Sequence, residues 1–211
     1  GLWSGHNDHN YFEIAHTMRR LQGLCHETRL YNFSDNHDVE RLPNKLRNRD
    51  HIRHIAILVY TLWGIPSIYY GSEFAIEGKK EWGSDWPLRP CLELEDFKDA
   101  ETTNPVTSVY AKLGKLKAEC PELSWGEVNE LHLTTQCYAY ARVLDGEAIV
   151  AVMNNGDSPA QLEFQLPVEA SGVEDLLADC VGSQNIMTNI EWGRMKVQLS
   201  SNYATLLRLK K

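Results

Sequence analysis

The stretch Asp50–Gly71, DHIRHIAILVYTLWGIPSIYYG, decides the class of fold. Ile52, Ile55, Ala56, Val59, Leu62 and Trp63 recur at the interval that puts apolar groups on one face of a helix. Asp50 stands where an N-cap acceptor meets the first free amides. Gly64 and Pro66 end the helix, because glycine takes the left-handed exit and proline cannot extend the ladder. Ser67–Tyr70, closed by Gly71, then reads as a strand. A helix that exits straight into a short strand is half of an α/β crossover.

The alternation continues on both sides. Asn10 and Glu13 have capping-box spacing, and Tyr11, Ile14, Ala15, Met18 and Leu21 predict a helix over 11–23. Arg29–Ser34 is a short strand candidate. A looser segment carrying Trp82 and Trp86 precedes a helix over Pro105–Glu119. Helix–strand–helix–strand–helix order implies parallel strands joined by right-handed crossovers. Two parallel strands cannot bury both faces and both edges by themselves. Roughly 120 residues are less than half of a barrel of about 250. The sequence, which starts without methionine, is therefore expected to be a piece of something longer.

The period changes near Ser124. Cys137–Val143 alternates, Asp145–Gly146 is a two-residue hairpin signal, and Glu147–Met153 is apolar. Asn154–Asp157 is a turn; Leu162, Phe164 and Leu166 alternate with polar residues, as do Val197 and Leu199, and Tyr203–Leu209 is a last strand. Short strands separated by such turns predict an antiparallel sandwich. The expected organisation is thus an α/β unit over 1–122 and an all-β unit over 123–211.

Composition narrows the function. The 211 residues are 43% hydrophobic and 24% charged, with 29 acids against 21 bases and a net charge of −8. No Lys/Arg-rich run marks a nucleic-acid footprint, and an acidic surface suits a neutral substrate. Five scattered cysteines without a CxxC pair argue against a disulfide framework or zinc site and for reduced thiols in the cytoplasm. The apolar run Ile52–Trp63 is interrupted by charge and is too short to span a membrane. No metal is expected: His6 and His9 lack a third ligand at helpful spacing. His51 and His54 read as solvated helix positions, and no cofactor is implied.

The chemistry concentrates in Tyr31–Leu42, YNFSDNHDVERL. Asp38 falls just past a strand, where parallel α/β barrels carry catalytic groups. A loop aspartate capping a turn is the plain alternative. Asn36 and His37 immediately before it add donors and acceptors that suit a polyhydroxylated ligand. Asp85 and Arg89 in GSDWPLRP are spaced as a local i,i+4 ion pair. Arg41 is either a cleft-lining group or half of a surface salt bridge. Trp82 and Trp86 either pack into the core or stack on a sugar. Glu13, Glu27, Glu73 and Glu77 are not in settings that suit the acid and nucleophile of glycoside hydrolysis.

These segments together resemble the α-amylase superfamily, glycoside hydrolase family thirteen. NFSDNHDVERL (32–42) resembles its fourth conserved segment, and GIPSIYYGSEFAIEG (64–78) its eighth barrel strand and following loop. GSDWPLRP (83–90) and NPVTSVYAKLGKLKAECPEL (104–123) resemble the loop and last helix before its all-β C-terminal domain. NYFEIAHTMRRL (10–21) is similar to the sixth helix of the neopullulanase, cyclomaltodextrinase and maltodextrin-degrading branch.

The resemblance implies the last two strands and flanking helices of a (β/α)8 TIM barrel, then an antiparallel β-sandwich. It implies Asp38 as the stabiliser of an oxocarbenium-like transition state and His37 as a donor to the same sugar ring. It implies Asn36 as orienter of that ring and Asp85 with Arg89 as holders of a neighbouring glucose. The substrate would be a maltooligosaccharide or starch-like glucan, cleaved at α-1,4 bonds with retention. The family's nucleophile and acid/base follow earlier barrel strands, so this chain alone is expected to be inactive. Its open strand edges are expected to meet the missing N-terminal barrel portion or a second copy.

Overall fold

The computed structural model describes residues 10–22 and 29–211. His6, His9, Cys25, Glu27 and the expected helix end at Gly23 lie outside the described residues. Helix α1 (Phe12–Gln22) starts after Asn10, whose Oδ1 accepts from the Phe12 amide at 3.0 Å. Strand β1 (Tyr31–Asn32) pairs in parallel with β2 (Ile65–Pro66), Tyr31 opposite Ile65. The Leu30 carbonyl accepts from the Ile65 amide at 2.8 Å, and the Asn32 carbonyl from Ser67 at 2.7 Å.

The second strand therefore begins two residues before Ser67, and Ser67–Tyr70 is irregular. Gly64 is the reason. It takes φ +116°, and a Cβ there would lie 2.3 Å from the Leu30 oxygen, so the helix exit runs directly against β1. Pro66 fits because Ile65 and Ser67 supply the amides that face β1, leaving its missing N–H on the far side.

Helices α2 (Leu42–Lys45) and α3 (His51–Thr61) follow β1; α4 (Ala100–Thr103), α5 (Pro105–Glu119) and α6 (Pro121–Trp125) follow β2. α5 matches its predicted bounds. Asn104 Oδ1 accepts from Val106 and Thr107 at 2.8 and 3.4 Å, and Pro105 opens the first turn. Asp50, by contrast, is itself helical and makes no side-chain cap bond. α3 gains its stability from packing: ten of its eleven residues are buried.

Eight strands form two antiparallel sheets. The larger runs in the order β3 (Glu127–Leu133), β4 (Cys137–Leu144), β5 (Glu147–Asn154), β10 (Tyr203–Lys210), β7 (Gly172–Asp175). The smaller runs β6 (Ala160–Gln165), β9 (Arg194–Leu199), β8 (Met187–Glu191). Asp145 and Gly146 join β4 to β5 with φ of +51° and +79°, the left-handed pair of a tight hairpin turn.

The larger sheet is covered on both faces. Ala139, Ala141, Val150 and Val152 meet Leu162, Phe164, Met195 and Val197 of the smaller sheet. Tyr138, Tyr140, Ile149 and Met153 face the helices, sharing a core with Ile55, Ala56, Val109 and Leu113. The alternation in Cys137–Val143 is thus small against aromatic, with both sets buried. Arg142, also buried, spans the two layers: its Nε and Nη2 donate to the Gly126 carbonyl at 3.1 and 2.7 Å, and its Nη1 donates to Thr61 at the end of α3.

His51 and His54 are buried rather than solvated, because β5 and the turn before β10 cover the first turns of α3. His54 Nε2 donates to the Asn154 carbonyl at 3.1 Å, and His51 Nε2 lies 2.7 Å from Asn202 Oδ1. Burial, assisted by His51, pushes the His54 pKa down to about 3. Between that value and the ordinary value of about 6.5 the unfolded chain binds a proton that the folded chain refuses. Stability is therefore expected to fall as pH drops through this window, by up to about 1.4 kcal/mol per unit from this group. Urea unfolding at successive pH values should show that slope, and His54→Gln should remove this group's share of it.

Candidate functional site

The residues after β1 turn sharply because Asn36 Oδ1 accepts from the Asp38 amide at 2.9 Å, bending the chain back at His37. Asp35 anchors the turn from below. It is buried; its Oδ2 accepts from the Leu42 amide at 3.0 Å, and its Oδ1 accepts from the Ser72 hydroxyl at 2.7 Å. Ser72 lies in the loop after β2, so one buried carboxylate joins the loops that follow the two parallel strands. The predicted site residues are raised above this anchor.

Asp38 and Arg89 are brought together from 51 positions apart in the chain. Arg89 Nη2 lies 3.3 Å from Asp38 Oδ1 and 3.2 Å from Asp85 Oδ2. Its Nε donates to the His37 carbonyl at 3.3 Å, and His37 Nε2 is 3.2 Å from Asp38 Oδ2. The i,i+4 spacing of Asp85 and Arg89 is thus a real ion pair, and it reaches across to Asp38 as well. Lys80 completes the group: its Nζ donates to the Asp38 carbonyl at 2.7 Å and lies 3.5 Å from Asp85 Oδ1. Side chains of His37 and Asp38 are more than half exposed, at 56% and 58%. The cluster can therefore exchange its internal bonds for bonds to a hydroxylated ligand, with acceptors on Asp38 and Asp85 and donors on Arg89 and Lys80.

Arg41 is not part of this exposed group, and it forms no surface salt bridge. It is fully buried beneath the site. Its Nη1 donates to the Tyr70 carbonyl at 2.8 Å and its Nη2 to the Leu88 carbonyl at 2.9 Å. The guanidinium centre lies 4.1 Å from the Tyr69 ring centroid. Gly78 makes room for it: a Cβ there would stand 2.9 Å from Arg41 Cγ and 2.4 Å from the Pro87 oxygen. Arg41 is thus a brace between the three loops that carry the site.

Trp82 and Trp86 do not pack into the core; they are 103% and 80% exposed beside Asp85. Burial raises the Tyr69 pKa, and the neighbouring Tyr70 adds to the shift. Glu77 pairs with Arg49. Among the described residues no group of three or more His, Cys, Asp and Glu side chains is placed to hold a metal ion, and no helix is long and apolar enough to cross a membrane. Sequence reading gave no role to Asp35 or Lys80. The only signal for Lys80 was its place just ahead of the Trp82–Asp85 turn. Asp35 carried none, since its partner Ser72 is 37 residues away.

No protein-family model matches the chain. A cyclomaltodextrinase from Thermoanaerobacter pseudethanolicus is 30% identical over 151 residues, covering 70% of this chain and 24% of the relative. A cyclomaltodextrin glucanotransferase from Bacillus sp. strain 1011 is 30% identical over 131 residues, covering 62% of this chain and 17% of the relative. Among solved structures, an α-amylase from Geobacillus thermoleovorans superposes with TM-score 0.76 at 20% identity, over 97% of this chain and 44% of its own. A γ-cyclomaltodextrin glucanotransferase from an alkalophilic Bacillus clarkii gives TM-score 0.77 at 21% identity, over 96% and 29%. These superpositions establish an α-amylase-type fold. The sequence relatives identify the chain as a member of the α-amylase superfamily, similar to a C-terminal fragment of its enzymes. The chain spans about a quarter or less of the curated relatives it matches.

Buried Arg41 and exposed Arg89 should respond unequally to substitution. Arg41→Met strips the Tyr70 carbonyl of its donor and leaves the Leu88 carbonyl only the Tyr69 hydroxyl at 3.4 Å, and a buried group so orphaned costs about 1–3 kcal/mol. Arg89→Ala removes only exposed pairs, worth about 0–1 kcal/mol. Denaturant midpoints should fall markedly for Arg41→Met and barely for Arg89→Ala; equal losses would contradict the brace.

Proposed function

We propose that this chain is the C-terminal portion of an α-amylase-type glycosidase acting on α-1,4-glucosidic bonds of maltooligosaccharides by a retaining mechanism. β1 and β2 would be the last two strands of a (β/α)8 barrel, ending near residue 122, and residues 123–211 a β-sandwich domain. The observation that carries the reading is the contact between two separate segments: Arg89 Nη2 within 3.3 Å of both Asp38 and Asp85. A local turn aspartate needs no such partner, whereas a sugar site needs carboxylates and a guanidinium converging on one surface.

In this reading Asp38 binds hydroxyls of the distorted ring and stabilises the positive charge that develops at its anomeric carbon. His37 donates to the same ring, and Asn36 fixes the turn that presents both. Asp85 and Arg89 hold a glucose further along. Bond cleavage needs a nucleophile and a general acid as well. In the relatives' architecture both would come from barrel strands ahead of this stretch. The exposed apolar groups of the parallel pair, Tyr31 and Ile65, with Phe33 just past β1, supply the surface on which those strands, or the same strands of a second copy, would close.

In the whole protein, Asp38→Asn should lower kcat/KM for maltoheptaose by about 10²–10³-fold. Residues 1–211 alone should release no reducing sugar from it. Measurable release by the purified 1–211 chain would refute the division of labour proposed. A second reading, a non-catalytic carbohydrate-binding unit, draws on the exposed indoles of Trp82 and Trp86. Titration calorimetry of 1–211 and of its Trp82→Ala/Trp86→Ala variant with maltoheptaose separates the two, since only the binding-unit reading expects saturation that these two indoles carry.

A further inference from the structure

From the outer face of the three-stranded sheet we infer a second α-glucan contact, centred on Trp192 and remote in the fold from the Asp38 cluster. This inference rests on the proposed glucan substrate. The sequence turns from β8 to β9 through Trp192–Gly193, with φ of +53° and +72°. The first position of such a turn favours asparagine or glycine, and a bulky aromatic there is sterically disfavoured. Trp192 is 98% exposed, so its indole buries nothing in return. Folding does not account for this residue.

What surrounds it fits a sugar. Of the three outward rows of the sheet, Gln165–Arg194–Glu191 and Glu163–Lys196–Asn189 lie nearest Trp192, and Gln161–Gln198–Met187 lies furthest from it. Glu163, Glu191, Lys196 and Arg194 sum to no charge, which suits a neutral ligand. Several are already oriented: Arg194 Nε donates to Glu163 Oε1 at 3.0 Å, and Asn189 Nδ2 donates to Glu191 Oε1 at 2.9 Å. The turn is itself fixed, since the Gly193 carbonyl accepts from the Leu166 amide at 2.8 Å. Planar hydrogen-bonding groups around a single flat aromatic match a pyranose ring, which has an apolar face and a rim of hydroxyls. A protein partner would call for a broader apolar patch.

Affinity electrophoresis of the intact protein in gels containing soluble starch tests this. Trp192→Asn places the favoured residue in the turn, so its melting temperature should be no lower than wild type. Its apparent affinity for starch should nevertheless fall about tenfold. Turnover of short maltoheptaose should be unchanged. Undiminished retardation of the folded variant overturns the site, and Trp192-dependent retardation by xylan but not starch overturns the α-glucan assignment. Failure of the wild-type protein to cleave maltoheptaose would count against the proposed function while leaving Trp192-dependent starch binding intact.

Discussion

Arg41 carries a permanent charge into a place where main-chain carbonyls, not water, must satisfy it. Its guanidinium is held by Tyr70 and Leu88 and lies over Tyr69. Arginine suits this position because its planar fork can reach two carbonyls at once while its face rests on an aromatic ring. The consequence is positional. The turn bearing Asp38, the loop after β2 and the loop bearing Arg89 all depend on one side chain. Asp35 and Ser72 add a second tie, with the Ser72 hydroxyl 3.5 Å from Arg41 Nη1. The exposed cluster above is loosely held by surface ion pairs, and its geometry is inherited from these buried bonds.

The larger β-sheet plays the same part for the molecule as a whole. Its central strands are buried on both faces, so the helical layer and the smaller sheet are joined through one set of backbone hydrogen bonds. Arg142 and His54 are polar groups caught in this arrangement, each satisfied by a carbonyl at a helix or strand end. A two-stranded parallel pair has little stability of its own. It is ordered here because α3 and α5 are themselves pinned against the sheet.

Local signals were read correctly where chemistry and geometry coincide within a few residues. Asn104 with Pro105 announced α5, and Asp145–Gly146 announced a hairpin that the φ values bear out. Asp85 and Arg89 were legible as a pair because four residues separate them. Asp50 was misread, since a capping residue type does not guarantee capping geometry. β8 was not read as a strand at all, because its buried face is short and its pattern weak. Trp82 and Trp86 are open in sequence between core packing and a ligand contact, and both stand in solvent.

By itself, the sequence determined the helix–strand alternation of the first half, the change from helical to strand period near Ser124, and the motifs that tie the chain to its family. Each of these is written in spacing along the chain. The tertiary structure decided which of the polar residues face outward. It sank Arg41, His51 and His54 into the interior and brought Arg89 and Lys80 to Asp38. Burial and long-range pairing depend on what packs from elsewhere, so residue types that look alike in sequence part company in three dimensions. Arg41 and Arg89 are the same amino acid with opposite surroundings, one a buried brace and the other an exposed partner of the candidate site.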